Sequence, residues 1–529
     1  SKYLYPTTTY HYNSGGEPEH IPDLSYAELK EFYATHYHPS NAVFMTYGDI
    51  PAVEHQQRFH ELALARFEKL DIDIHVPDEK RYFAPIRVEE SYPLSSDESA
   101  DGESQEKTHV VMAWLLGKSI DLDDMFQAQL LSSVLLDNSA SPLMHVLETC
   151  GLGASPSPMC GLEDGNREMS FMCGLEGCAK DATAEVEALI RSTLETIARD
   201  GVPEEQVHAA LHQLELHQRE ITGDSHPYGL QLIIASLSSA IHGGDPINLL
   251  DIDPALARLR EQVAQPNFIG QLIQKLLLDN PHNLILTLQP DPLLSARQVA
   301  AEIQRLKVIK DNLKDGEAQQ IIARSKALSE RQEAQDDSSI LPKVGLEDVP
   351  ADLPMPQSVN SEIDVSGSKM PVSFYPQGTN GICYQQVVIE LPQLDDELLE
   401  VLPYYTTCVS EFNEVRFDEV QRLREIMDQI SARRESSITG QGHVLAMALA
   451  SSGMSPTAQL NHRFTGLAGI NTLRALSKAI KSDDQAKALL GKFQAIHEEL
   501  KQAPKRVLLV AEEAAQQSVT ETLAQRWSD

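Results

Sequence analysis

The sequence predicts an α+β fold: repeated domains, each a mixed, mostly antiparallel sheet covered by helices, joined by a long helical hairpin. Three observations predict it. A unit of Pro turn, apolar strand and helix recurs at Pro39-Ser40-Asn41 with Ala42 to Tyr47, and at Pro281-His282-Asn283 with Leu284 to Leu288. A looser copy runs from Pro504 through Val507-Leu508-Leu509-Val510. Each copy follows an amphipathic helix and precedes a helical stretch, as a structural repeat does. Strand runs are followed by runs of helices, which is the pattern of layered α+β domains. At 529 residues the chain also exceeds the ~250–300 residues that one hydrophobic core sustains. If the recurring unit closes domains of roughly 200 residues, the chain holds the tail of one domain and two complete ones.

The elements follow in order. Residues 1–20 are rich in Tyr, Gly and Thr and read as a loop. Ser25 opens a helix with a capping box, since Glu28 stands three residues on and can return a hydrogen bond to the cap. That helix leads into a strand over 42–47, and another helix spans Ala52 to Leu70. Residues 76–105 hold Asp78, Glu79, Glu89, Glu90, Asp97, Glu98, Asp101 and Glu103 among prolines and serines, and read as an acidic linker after a first-domain part at 1–75. A second domain is assigned to 106–292. It opens on the buried-strand run Thr108 to Leu116, followed by helices at 121–136 and from Ser141-Pro142 to Gly151. Strands at 154–161 and 168–177 come next, then a helix with Val186, Leu189, Ile190, Leu194 and Ile197 on one face, stopped by Gly201 and Pro203. Helices fill 204–279 before the second copy of the repeat.

Residues 293–358 read as a linker: a charged helical hairpin to 336, then a Pro- and Asp-rich loop extending to 370. The hairpin has one stripe of Ile303, Leu306, Ile309 and Leu313, and another of Ile321, Ile322 and Leu328. With too few apolar positions for its own core, it is expected to lie against flanking domains. A third domain, 359–529, opens on a strand from Gly381 to Leu391. Helices follow at 395–413 and 416–429, a loop at 436–442, a helix at 443–452 and the third copy of the repeat.

The net charge of −35 argues against nucleic acid as a partner and favours cationic ones. No run reaches the ~18 apolar residues of a membrane span, and no charged-then-apolar leader opens the chain. Ser1 in place of Met agrees with a truncated or processed start. Six cysteines are too sparse for a disulfide framework, and Cys173 and Cys178 lack zinc-knuckle spacing, so reduced thiols are expected.

Catalytic motifs are absent from the sequence. Neither H-x-x-E-H nor H-E-x-x-H occurs, and His55 and His60 stand about 140° apart on a helix. His208, His212 and Glu215 share one helical face and could supply three metal ligands, but no general base accompanies them and His217 points elsewhere. There is no G-x-S-x-G and no P-loop. Gly151-Leu152-Gly153 and Gly440-Gln441-Gly442 are too short for phosphate loops, and His443 reads as a helix-start residue.

An ordered series of motifs resembles a known family. It comprises Asn13-Ser14-Gly15-Gly16-Glu17-Pro18, His38-Pro39-Ser40-Asn41-Ala42, Tyr47-Gly48-Asp49, Ser141-Pro142-Leu143, Gly151-Leu152-Gly153, and Ile340-Leu341-Pro342 with Leu346-Glu347-Asp348-Val349-Pro350. Thr439-Gly440-Gln441-Gly442-His443 and His462 with Gly466-Leu467-Ala468-Gly469 complete it. In order, these are similar to the presequence-protease branch of the insulinase/pitrilysin zinc metallopeptidases, over essentially the whole chain. The resemblance implies insulinase-type domains, four in the parent, closing as a clamshell around a chamber in which zinc-bound water attacks unfolded, often basic peptides. It also implies that the zinc ligands lie upstream of Ser1 and that the fourth domain lies beyond Asp529. No catalytic, substrate-binding or metal residue is therefore carried onto this chain. No cofactor is expected in the segment, and the compartment implied is a bacterial cytoplasm or an organellar matrix.

Three readings follow. The first is a central, non-catalytic segment of such a peptidase, inactive alone, forming chamber wall and hinge. Its partners are peptides and the parent's remaining domains, with no nucleic acid and no membrane. The second is a non-catalytic insulinase-like binding or structural subunit. The third is an unrelated metal enzyme built on His208, His212 and Glu215.

Overall fold

A computed structural model describes residues 1–94, 107–221, 226–341, 343–349, 351–352, 355–365, 367–411 and 419–528. The chain divides into two compact units, Ser1–Val349 and Pro350–Asp529. Among the described residues no helix is long and apolar enough to cross a membrane.

The first unit is built on a six-stranded sheet. Its strands are β1 (Ile86–Pro93), β2 (Thr108–Lys118), β3 (Ser155–Pro156), β4 (Gly161–Glu163), β5 (Glu168–Cys178) and β6 (Asn283–Asp291). The order is β1-β6-β2-β5-β3, with β4 also on β5. Only β1 and β6 are parallel; the other pairs are antiparallel. β2 is hydrophobic without alternation because it lies mid-sheet and is covered on both faces. Its Val110, Met112, Trp114 and Leu116 join Phe171, Cys173 and Leu175 of β5 in a core closed by helices. Leu122–Leu136 gives that core Phe126, Leu130 and Leu131, and Thr183–Asp200 gives it Val186, Ile190, Leu194 and Ile197. The latter helix ends at Gly201, whose φ of 79° is open to a residue without Cβ. Gly174 permits the β2–β5 approach, since a Cβ there would stand 2.1 Å from the Val110 carbonyl oxygen.

The second unit carries β7 (Val359–Val365), β8 (Ser368–Pro376), β9 (Tyr384–Ile389) and β10 (Lys505–Ala511), in the order β7-β8-β10-β9. The helix Gln516–Ser528 covers one face, burying Leu523 with Val372, Phe374, Val507 and Leu509. A separate helical core joins Asp396–Cys408, Val420–Gly440, Leu467–Ala479 and Asp483–Gln502 around Tyr405, Met427, Leu490 and Phe493.

The recurring unit is real in two of its three copies. β6 is inserted between β1 and β2, and β10 between β8 and β9; each has one parallel and one antiparallel neighbour and is followed by a helix. The first copy departs from expectation: 42–47 is extended but is not a strand, because no described segment lies alongside to complete a ladder. The helix expected over 52–70 ends at Leu62. The Ser25 capping box is present, with Glu28 N–H donating to Ser25 Oγ at 3.2 Å and Ser25 N–H donating to Glu28 Oε2 at 2.8 Å.

Three segments expected to be irregular prove to be regular. The acidic linker 76–105 contains β1, whose exposed acids alternate with half-buried residues as on an edge strand; its residues 95–105 lie outside the described set. The Pro- and Asp-rich loop to 370 contains β7, an exposed edge strand, and the start of β8. The helix from Val420 continues to Gly440 through the loop expected at 436–442, since only Gly440 and Gly442 interrupt good helix formers. The strand expected at 154–161 is two short pieces, β3 and β4. Parts of the helices expected at 395–413 and 416–429, residues 412–413 and 416–418, lie outside the described set. The hairpin forms as Leu294–Asp311 and Glu317–Glu333, but neither helix buries a residue, and Ile303, Leu306, Ile309, Ile321, Ile322 and Leu328 are exposed. Its tie to residues 19–23 is polar, through Arg305 to the Glu19 carbonyl and Asp23.

Candidate functional site on the open face of the sheet

Side chains alternate along a strand, so the sheet of the first unit has a second face opposite the helices. Register puts Leu284 of β6, Ala113 of β2 and Met172 of β5 in one row, and Leu286, Val111 and Gly174 in the next. One end of this face is covered by the first twelve residues. Leu4 and Tyr5 are buried against Ala113, Leu115 and Leu284.

The polar contacts of this strap explain its path. Leu4 O accepts from His282 Nε2 at 2.8 Å, and Tyr82 N–H donates to Nδ1 of the same ring at 3.0 Å. An Nδ1 that accepts carries no proton, so His282 is neutral with its hydrogen on Nε2. Tyr82 stacks on it at 4.2 Å between ring centroids. Burial, then the Arg81 charge, lowers the His282 pKa below the ordinary value. Thr7 donates through its backbone N–H, at 3.0 Å, and its hydroxyl to the buried Glu79. Burial opposes ionisation of Glu79, but the Thr7 and Lys80 hydrogen bonds outweigh it and lower the pKa. Tyr5 OH donates to the Glu168 carbonyl at 2.7 Å, and burial pushes that phenol up to about 12. The carboxylate of Glu168, 4% exposed, accepts from Arg81 and from Glu79 N–H, both at 2.6 Å. A buried carboxylate is tolerated only with such charged and backbone donors.

Beside the strap the sheet face remains a cleft of about 940 Å³, lined by Tyr3, Tyr12, Met159, Met172, Leu286 and Leu288 among others. Glu90 and Glu163 stand on its rim. Glu90 accepts from Lys2 and Tyr3, and these lower its pKa, Tyr3 most. Glu163 accepts from Gly165 N–H at 3.1 Å. The cleft is apolar at the floor and acidic at the edge.

The sequence-derived metal candidate does not assemble. His208 and His212 lie exposed on the helix Glu204–Arg219, while Glu215 is held by Arg219 at 2.9 Å and by Arg260. Those guanidiniums lower its pKa, Arg260 first, and Arg219 also reaches Asp253. A carboxylate committed to two arginines has lost its place as a ligand. Among the described residues no three of His, Cys, Asp or Glu stand close enough to hold a metal ion. The residues here do not fit a zinc centre, and no chemical step is drawn through one. His55 stacks on Phe59, His443 is exposed, and Cys173 and Cys178 are buried free thiols. Sequence reasoning missed Glu79, counted among linker acids, and the role of His282; its one signal was a histidine inside a recurring Pro–x–Asn turn.

Two family models match most of the chain. One, described as the peptidase M16 inactive domain, matches residues 23–214. The other, described as associated with peptidases of subfamily C of M16, matches 288–413 and 410–476. The chain belongs to the M16 peptidases. Its relatives within M16 are presequence proteases. It is 28% identical over 541 residues to the mitochondrial presequence protease of Xenopus tropicalis, covering 90% of this chain and 52% of the relative. It is 31% identical over 408 residues to that of Mus musculus, covering 77% and 38%. To presequence protease 1, chloroplastic/mitochondrial, of Arabidopsis thaliana it is 28% identical over 552 residues, covering 91% and 50%. The chain thus spans about half the length, or less, of these M16 relatives. Among solved structures, a peptidase M16 inactive domain from Pseudomonas fluorescens matches with a TM-score of 0.40 at 16% identity, over 55% of this chain and 63% of that one.

Proposed function

We propose that this chain is the non-catalytic central part of a zinc-dependent metalloendopeptidase that degrades unfolded, presequence-like peptides inside a chamber, where it forms wall and hinge. The supporting observation is the match to presequence proteases over 90% of the chain, together with a family model for an inactive M16 domain. In this reading 1–75 closes a first domain, 106–292 is a second, 293–358 is the connecting hairpin and loop, and 359–529 is a third. Zinc and its ligands belong to the parent outside this chain, and the remaining domains are its partners. A net charge of −35 suits basic peptides through long-range attraction. The compartment proposed is an organellar matrix or a bacterial cytoplasm.

The test is hydrolysis of a fluorogenic basic peptide by the homogeneous chain. No turnover is expected, and chelator-sensitive turnover that co-purifies with the chain would refute the assignment. The reading frame of the parent gives the second check. An H-x-x-E-H motif before Ser1 is expected, and its absence would leave a binding subunit as the better reading.

A further inference from the structure

The cleft beside the strap has the composition of a binding site that the fold itself leaves unfilled. Its floor is not closed by the strap: Leu4 and Tyr5 cover Leu284 and Ala113, while Leu286, Leu288 and Met172 remain partly open to the cleft. Met159, 42% exposed, and Tyr12, 72% exposed, overhang it. A cleft of about 940 Å³ accommodates one or two large side chains with their backbone. Glu163, on β4, stands exposed at the rim, and its hydrogen bond is to a neutral backbone N–H.

Charge decides what kind of occupant fits. A second copy of a chain carrying −35 is repelled, and an acidic ligand is repelled again by the rim. A segment with a large apolar side chain beside a cation satisfies floor and rim together.

We propose that this cleft is a peptide subsite: one aromatic or long aliphatic side chain lies on Leu286, Leu288 and Met172, and a neighbouring Lys or Arg pairs with Glu163. The proposal rests on the peptidase reading given above and assigns to the segment a part in holding substrate. The strap forms one wall, so the subsite exists only while His282, Glu79 and Glu168 keep residues 1–12 in place.

The probe is a fluorescein-labelled dodecapeptide with one p-benzoylphenylalanine flanked by two arginines, tested on the intact chain by anisotropy and by photo-cross-linking. An adduct on Met172 or Met159 is expected. Replacing the aromatic residue by alanine should weaken binding about tenfold. Glu163→Gln should weaken it about two- to fivefold and reduce its salt dependence, as an exposed ion pair does. Glu163 is exposed, so this variant should fold; circular dichroism checks it. No binding at millimolar peptide overturns the proposal, as do an adduct confined to other surfaces or affinities indifferent to both changes. Zinc-dependent cleavage of the same peptide by a longer protein containing this chain reports the peptidase reading separately. Cleavage without an adduct in the cleft removes the subsite alone.

Discussion

His282→Ala removes the ring that holds the strap to the sheet. The imidazole is fully buried and satisfies a backbone donor at Tyr82 and a backbone acceptor at Leu4. Alanine leaves both without a partner and opens a space beside the Tyr82 ring, 4.2 Å away in the wild type. Orphaned buried polar groups cost about 1–3 kcal/mol each, so a loss of about 2–4 kcal/mol from the first unit is expected. The pH dependence isolates the cause. Burial lowers the folded-state pKa of His282 below its ordinary 6.5. Between the folded value and 6.5 the unfolded chain binds more protons, so stability is full above that window and falls as pH drops through it. The slope from one histidine is at most about 1.4 kcal/mol per pH unit. Protonation would put a hydrogen on Nδ1, facing Tyr82 N–H. Burial also lowers the pKa of His242, which contributes in the same direction, so the informative quantity is the difference between wild type and variant. Urea unfolding followed by Trp114 fluorescence, in a Trp527→Phe background, measures the first unit at pH 7.5 and 5.5. Equal slopes in wild type and His282→Ala would refute the tautomer and burial argument. Unchanged protease resistance of residues 1–12 would refute the strap's dependence on this ring.

Three further outcomes are expected. Glu168→Gln weakens the charged hydrogen bond from Arg81 at a buried position and should cost about 2–3 kcal/mol by urea unfolding; a neutral effect would show that Arg81 and Glu79 N–H re-pair without it. Gly174→Ala drives a Cβ to within 2.1 Å of the Val110 carbonyl oxygen and should cost about 1–3 kcal/mol or prevent folding of the first unit, visible as lost near-ultraviolet dichroism. His208→Ala, at an exposed position, should leave stability within about 0.5 kcal/mol and metal content unchanged; loss of a stoichiometric metal would revive the metal-enzyme reading.

Local signals were legible where neighbours in sequence carry the energy. The Ser25–Glu28 capping box, the core stripe of Thr183–Asp200 with its Gly201 stop, and the apolar runs of β2, β6 and β10 all lie within a few turns or one strand. Errors fell where a distant partner decides. Ile86 to Pro93 reads as an acidic connection because its outward residues are charged, yet pairing with β6, almost two hundred positions later, makes it a strand. Residues 42–47 carry better strand residues and form none, because no ladder partner lies beside them. At the site, His208, His212 and Glu215 were legible as a face, but only the packing of Arg219 and Arg260 shows that the carboxylate is taken.

By itself the sequence determined the α+β class, the closing strand–helix unit of both described sheets, and the M16 kinship carried by its ordered motifs. Tertiary structure decided what residues 1–12 are for. Read as a loop, they become a wall of the cleft because Leu4 and Tyr5 gain a sheet to cover, and because Glu79, Glu168 and His282 meet them from three distant places. Helix caps and strand periodicity are set by interactions a few residues long. A buried carboxylate, a histidine tautomer and an open apolar floor depend on groups far apart in the chain, and only folding brings those together.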